Sequence, residues 1–412
     1  MQQPFFGWRV VAGVFVLAVF GWGLGFYGPP VFLHAVQEAR GWPVVLVSTA
    51  VTVHFLIGAI VVANLPALYR HFGIPAITRA GALSLAGGVL GWALAREPWQ
   101  LMLATVFSGG GWVAMGAAAV NAIIAPWFVK KRPAALSMAY NGASIGGVLF
   151  SPLWVVAIAV LGFPIAALAI GIVTVVTIWL LTDRLFSRTP ESMGQSADGL
   201  SPEPAPVAAV ARDNASLWRD PKFLTLAAAM ALGLFAQIGL IAHLFSLIAP
   251  VLGEETAGLV MGAATAAAIG GRSLVGWAMP AGTDRRLVAC LSHLVQIAGS
   301  VALIFSAGQD VALLIVGVLL FGAGIGNTTS LPPLIAQVEF SREQVARVVP
   351  LIVAIGQGTY AFAPATFGAL RDLAGDGGTP VYVGAAIIQL AAVALFLAGR
   401  AAATTPSRIG SA

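Results

Sequence analysis

The sequence predicts an all-α membrane protein of about twelve transmembrane helices in two six-helix bundles, and three observations lead there. Of 412 residues, 59% are hydrophobic and only 9% charged, whereas a soluble domain carries about a quarter charged residues. Apolar runs of 18 or more residues recur from the first dozen residues to residue 400. Each can cross about 30 Å of hydrocarbon at about 1.5 Å per residue. The runs are continuous, where a membrane barrel would show strands of about ten residues alternating in polarity.

The first span, 11–35, follows Arg9. It is longer than the apolar core of a signal peptide and ends in no A-x-A-like cleavage site, so it is expected to stay in the mature protein. Pro29-Pro30 near its end can break the helix. Spans 43–66, 74–95, 99–125, 134–157 and 161–182 complete a first bundle, residues 1–182. Residues 183–221, rich in Pro, Ser, Ala and charge, read as a cytoplasmic linker, poorly ordered in its middle. Spans 223–250, 256–279, 286–307, 310–336, 346–370 and 379–400 form the second bundle, residues 222–412. Pro332-Pro333 reads as helix termination and Pro364 as a break or kink. Six spans on either side of a long loop is the organisation of a transporter built from two repeats.

The net charge of +5 and pI near 9.8 invite a nucleic-acid partner until the cations are placed. With both termini cytoplasmic, 17 of the 21 lysines and arginines fall on the cytoplasmic side. Arg40, Arg96 and Arg371 lie opposite, and Arg272 lies within a span. That bias is the positive-inside rule, so the basic balance is topology and nucleic acid drops out. The single cysteine, Cys290, excludes an internal disulfide. No loop shows a metal-ligand cluster, a P-loop or a nucleophile elbow, so neither an enzyme nor a cofactor nor a metal is expected. The 48 glycines, clustered at Gly109-Gly110-Gly111, at Gly142, Gly146 and Gly147, and at Gly322, Gly324 and Gly326, let helices approach closely and slide.

Arg272 is the residue that points to a substrate. A charge at helix centre costs about 2.5–3.5 kcal/mol on insertion scales and usually faces a bundle interior or a water-filled path. Arg272 lies roughly 10 Å from the cytoplasmic end of its span by helical rise, deep for snorkelling. Ala268, Ile269 and Gly276 one turn away, and Thr265 two turns back, leave its face small. All 16 acids fall in loops, the linker or helix ends. A guanidinium fork matches a carboxylate bidentately, so the expectation is that an anionic substrate supplies the counter-charge. The alternative is a bond to backbone carbonyls, or to Glu339 as a gate.

The stretch Trp127-Phe128-Val129-Lys130-Lys131-Arg132-Pro133-Ala134-Ala135, continuing to Asn141-Gly142-Ala143-Ser144-Ile145-Gly146-Gly147, resembles the WF-x-K-[KR]-R-x-x-A…G-x-x-x-G segment of monocarboxylate porters and bacterial oxalate:formate exchangers. Arg272 with Gly276 is similar to the R-x-x-x-G of their eighth helix, and Gly7-Trp8-Arg9-Val10-Val11 to their N-terminus. With six-plus-six spans, the whole chain resembles the major facilitator superfamily. That resemblance implies alternating access in an integral membrane protein, and a monomer is expected; short loops and compact termini that lack a eukaryotic address point to a bacterial inner membrane. There are departures. Ala268 stands where those porters often carry an aspartate, and Pro30 near their first-helix lysine. The eleventh span has no cation before Arg371. The superfamily's G-x-x-x-D-R-x-G loop survives only as Arg70-His71-Phe72-Gly73, with Tyr69 in the acidic place.

The resemblance also says which helices line a central cavity: one, four, seven and ten, flanked by two, five, eight and eleven. On these lie Tyr27, Asn121, Tyr140, Asn141, Gln237, Asn327, Gln357 and Tyr360, expected with Arg272 to bind substrate; for each the alternative is an interhelical hydrogen bond. His54 and His243 are the candidates for carrying a proton, since histidine titrates near physiological pH. Arg70, Lys130, Lys131, Arg132 and Glu339 are the candidates for gating. The function expected is secondary transport of a small organic anion, a monocarboxylate foremost, by proton symport or anion exchange. An efflux permease for another small molecule and a non-transporting receptor on the same fold are the alternatives. Cation efflux usually needs a buried acid and a G-P-x-x-G-G stretch, and Gly146-Gly147-Val148-Leu149-Phe150-Ser151-Pro152 lacks it.

Overall fold

A computed structural model describes residues 5–129, 131–199, 217–279, 282–306, 308–373 and 378–404. Among these residues the regular structure is helical throughout. Twelve helical stretches are long and apolar enough to cross a membrane. In chain order the helices are α1 (Gly7–Gly25), α2 (Gly28–Arg40), α3 (Val44–Phe72), α4 (Ile74–Leu94), α5 (Pro98–Met115), α6 (Ala117–Ile124), α7 (Arg132–Leu161), α8 (Phe163–Leu181), α9 (Pro221–Leu252), α10 (Glu254–Ala278), α11 (Arg285–Ser306), α12 (Val311–Glu339), α13 (Arg342–Tyr360), α14 (Ala363–Leu373) and α15 (Thr379–Thr404).

Three spans are interrupted, and the residues at each interruption explain it. Pro29 and Pro30 occupy the start of α2, where a proline's missing N–H is tolerated but cannot serve the preceding turn. Between α5 and α6, Gly116 is extended at φ −88° and ψ −156°. Between α13 and α14, Pro364 denies a donor to the preceding turn, as its place in the eleventh span led us to expect. Pro332 and Pro333 correct the expectation of termination: α12 runs through both to Glu339. Membrane helices tolerate such prolines where neighbouring groups and local adjustment compensate the lost backbone bonds.

The chain forms two compact units, one of Met1–Pro206 with Ala242–Gly262, the other of Val207–Ile241 with Ala263–Ala412. The division passes within α9 and α10, so each of these helices contributes to both units.

In the first unit, the N-terminal part of the expected linker is short turns, Glu191–Met193 and Ala197–Gly199. They are tied to the loop before α7. Asp198, at φ 60°, accepts from Val129 N and Lys131 N at 3.1 Å each and donates its own N–H to Trp127 O at 2.9 Å. The middle of the linker, 200–216, lies outside the described residues. At the end of α8, Asp183 pairs with Arg79 of α4, whose guanidinium lies over the Trp179 ring at 5.2 Å.

The second unit is organised around Arg286, 1% exposed at the start of α11. Its Nε and Nη2 donate to Glu339 Oε1 and Oε2 at 2.6 and 2.8 Å. Nη2 also reaches Lys222 O at 3.0 Å and Nη1 reaches Thr225 Oγ1 at 3.2 Å. This bidentate geometry makes a buried ion pair sustainable, because the guanidinium's other donors are also used. One side chain thereby joins α9, α11 and the end of α12.

Candidate functional site

The first unit builds its polar centre on the break between α1 and α2. Tyr27 N–H turns back to Trp22 O at 2.9 Å, bypassing Gly23 O, and Pro29 has no N–H to offer Gly25 O. Side chains supply the missing donors: Trp154 Nε1 reaches Gly23 O at 3.2 Å, and His54 Nε2 lies 2.9 Å from Gly25 O. Since a carbonyl can only accept, Nε2 carries the proton. Nδ1 is then the acceptor for Ser108 Oγ at 2.8 Å, and Ser108 Oγ in turn accepts from Trp92 Nε1 at 3.2 Å. That assignment is of the neutral ring; His54 is 1% exposed and bonded at both nitrogens. Its backbone is also in use: a Cβ on Gly109 of α5 would collide with His54 O, so the close crossing of α3 and α5 requires glycine there.

Asn121 and Tyr140 meet, Asn121 Nδ2 donating to Tyr140 OH at 2.7 Å and Tyr140 OH to Ala117 O at 3.2 Å. This pair closes the interrupted fourth span against α7. Tyr27 is half-buried at the α1–α2 break with Phe26 against it, ring centroids 5.0 Å apart. Asn141 is exposed on α7 and His243 fully buried in α9.

In the second unit Arg272 is half-buried on α10, and its Nε donates to Gly326 O at 3.3 Å. Thr329 Oγ1 and Ser330 Oγ donate to the same carbonyl at 3.2 and 3.0 Å. A Cβ on Gly326 would lie 2.6 Å from Ala268 O and 2.9 Å from Arg272 Nε, so glycine is what lets α12 lie directly on the arginine. Asn327 is 4% and Gln237 2% exposed, and Asn327 Oδ1 and Gln237 Oε1 have no hydrogen-bond partner among the described residues. Leaving such an atom dry and unbonded costs about 1–3 kcal/mol. Gln357 bonds Tyr360, which is 8% exposed on α13.

The expected gating residues divide. Glu339 is held by Arg286. Arg132 caps the chain before α7, its Nε and Nη2 donating to Phe128 O and Ala125 O at 3.0 and 2.8 Å. Lys131 contributes its backbone N–H to Asp198. Arg70 is exposed in the last turn of α3, where a cation suits the helix dipole. Lys130 lies outside the described residues.

Sequence reasoning missed a polar chain inside the second unit. Gln389 Nε2 of α15 donates to Gln296 Oε1 at 2.8 Å, and Gln296 Nε2 donates to Thr328 Oγ1 at 2.9 Å. His293 Nδ1 lies 2.9 Å from Ala289 O. Its Nε2, Gln389 Oε1 and Ser300 Oγ are buried without a partner among the described residues. The signal was present as Arg286, Cys290, His293, Gln296 and Ser300, a stripe at helical spacing, on a span assigned to the periphery.

No curated protein matches the chain by sequence. Among solved structures it is similar to the nucleoside transporter NupG, at 12% identity and TM-score 0.75, covering 97% of this chain and 100% of that one. It is also similar to a bacterial homologue of the human lysosomal transporter Spinster in an inward-facing and unoccupied conformation, at 14% identity and TM-score 0.68, covering 97% and 98%. The same homologue in an inward-facing and occupied conformation matches at 14% identity and TM-score 0.66, covering 98% and 96%. At such identities the likeness is one of fold. Residues 17–364 match the family described as Major Facilitator Superfamily, and with twelve membrane-length helices around these polar centres the chain belongs to the major facilitator superfamily.

Proposed function

We propose that this chain carries a small organic anion, a monocarboxylate foremost, across a bacterial inner membrane by alternating access, coupled to proton symport or anion exchange. The observation that supports this reading above others is Arg272, a guanidinium inside a membrane span with small residues on its face and the Gly326 carbonyl as a fixed anchor for Nε. A guanidinium presents its N–H donors in a planar fork that matches a carboxylate in two parallel bonds. The buried amide oxygens of Gln237 and Asn327 on α9 and α12 support a solvated path in the same unit. Asn121, Tyr140, Gln357, Tyr360, Tyr27 and Asn141 are the further groups proposed to face the solute.

His54 fits less well as proton carrier. Both its nitrogens are already bonded, Nε2 to Gly25 O and Nδ1 to Ser108 Oγ, and protonation would reverse the Ser108 bond. A structural staple is the role its bonds support.

The test is uptake of labelled lactate, pyruvate, oxalate and formate into proteoliposomes holding wild type or Arg272→Gln, with and without an inward proton gradient. Saturable uptake that the substitution removes, in a protein that stays folded, is the expected result. The gradient response separates symport from exchange. If no carboxylate moves, or the variant transports as well as wild type, the anion reading is wrong.

A further inference from the structure

Three potential ligands for a metal ion meet in the first unit, at the end of α2 and the first turn of α10. His34 Nε2 stands 3.6 Å from Glu38 Oε1 and 3.5 Å from Glu254 Oε1, and one ligand atom from each residue lies within 4.8 Å of the others. Neither distance is that of a hydrogen bond, which runs at about 2.7–3.2 Å. One ring nitrogen cannot serve two carboxylates through a single proton. Two ligands at about 2.0–2.2 Å from a tetrahedral zinc ion stand about 3.4 Å apart, close to both distances seen. Both distances from His34 are those of two ligands on one ion.

The surroundings agree. The three side chains line a cavity of about 430 Å3 with Trp92, Phe163 and Phe245 among its walls. The Phe245 ring meets the imidazole edge-on at 5.1 Å and 77°, which fixes its plane. His34 is 12% exposed at its side chain, while Glu38 and Glu254, at 62% and 42%, remain open to an ion arriving from solvent. Arg40 lines the same cavity but pairs with neither carboxylate among the described residues. A neutral imidazole and two carboxylates balance a divalent charge, and one nitrogen with two oxygens suits zinc better than magnesium or calcium, which take oxygen ligands.

We infer that His34, Glu38 and Glu254 form a binding site for a zinc-class divalent cation that clips α2 to the first turn of α10, with a water completing the coordination. The sequence conceals it, because Glu254 is remote in the chain from the helical pair His34 and Glu38.

The test uses the full-length chain in nanodiscs, stripped with a chelator and titrated with zinc chloride against a chromogenic zinc indicator. One zinc per chain is expected, undisturbed by millimolar magnesium, with X-ray absorption reporting one nitrogen and the rest oxygens in the first shell. His34→Ala and Glu254→Gln should each weaken binding by more than about tenfold. Glu38→Gln, at a position 62% exposed where the fold does not depend on the side chain, should weaken it too. Zinc should raise the melting temperature of wild type and leave that of the His34→Ala/Glu254→Gln double variant unchanged. Failure of wild type to retain zinc, or equal binding by wild type and the double variant, overturns the site. Neither readout requires transport, so the proposed function stands or falls separately.

Discussion

Two helix crossings in this molecule use the same device for different ends. Where α3 meets α5, Gly109 allows contact with the His54 backbone; where α10 meets α12, Gly326 allows contact with Arg272. At both, a glycine removes a Cβ and a polar side chain takes the space gained. The histidine is consumed: both its nitrogens are bonded, to Gly25 O and Ser108 Oγ, and it is buried. The arginine is half-buried, with its Nε on a carbonyl shared with Thr329 and Ser330. The close packing of small residues therefore says that a polar group can be housed in a membrane bundle, and the acceptors around it say whether that group is structural. A broken helix, with carbonyls deprived of donors by Pro29, absorbs a histidine; at α12 an arginine rests its Nε on the Gly326 carbonyl.

Arg286 is the control that could break this contrast, and it should give the largest effect. It is an arginine in the same unit as Arg272 but is buried and paired bidentately with Glu339. Arg286→Leu leaves a carboxylate without its partner and should cost about 3–5 kcal/mol, read as loss of stability in detergent unfolding. Arg272→Gln should do the reverse. Carboxylate flux should fall by the tens- to thousandfold that about 2–5 kcal/mol represents, while the unfolding midpoint stays near wild type. Equal destabilisation by both would make Arg272 a packing residue.

His54→Ala should cost about 1–3 kcal/mol, the penalty of leaving Gly25 O and Ser108 without partners. His54→Gln, which can restore a donor to Gly25 O, should recover part of it. A flux that keeps its proton dependence in His54→Gln removes the histidine from coupling, whereas loss of that dependence with folding intact would restore it. Asn121→Ala breaks one bond to Tyr140, and membrane hydrogen bonds average about 0.6 kcal/mol. A shift of that size, or none, is expected in unfolding, so any large change in flux would place Asn121 on the substrate.

The smallest effect belongs to Asp284 at the start of α11. Burial pushes its carboxyl up, but bonds from Arg400 Nε, Leu287 N and Arg286 N, with the Arg400 charge, outweigh it and hold the group below its ordinary range. A depressed carboxylate contributes stability above its unfolded pKa of about 3.9 and loses it as pH falls through the folded value. The pair is solvent-screened, so the contribution is below about 1 kcal/mol. Comparing wild type with Asp284→Asn, the difference in unfolding midpoint should be present at neutral pH and fade below about pH 4.

What could be read directly from the sequence was whatever depends on local composition. Twelve spans follow from apolar run length, the breaks at Pro29-Pro30 and Pro364 from the missing N–H of proline, and the depth of Arg272 from its position along a helix. Pro332-Pro333 was misread because whether a proline ends a membrane helix depends on what its neighbours can supply, and local sequence does not record that.

Partnership, by contrast, was decided by the tertiary structure. Glu339 belongs to Arg286, His54 to the orphaned Gly25 carbonyl, and Gln389 to Gln296, each across tens of residues. Hydrophobicity and helical period are sums over neighbours in the chain, so the sequence carries them. A hydrogen bond needs two atoms about 3 Å apart, and only the packing of one helix on another sets that distance.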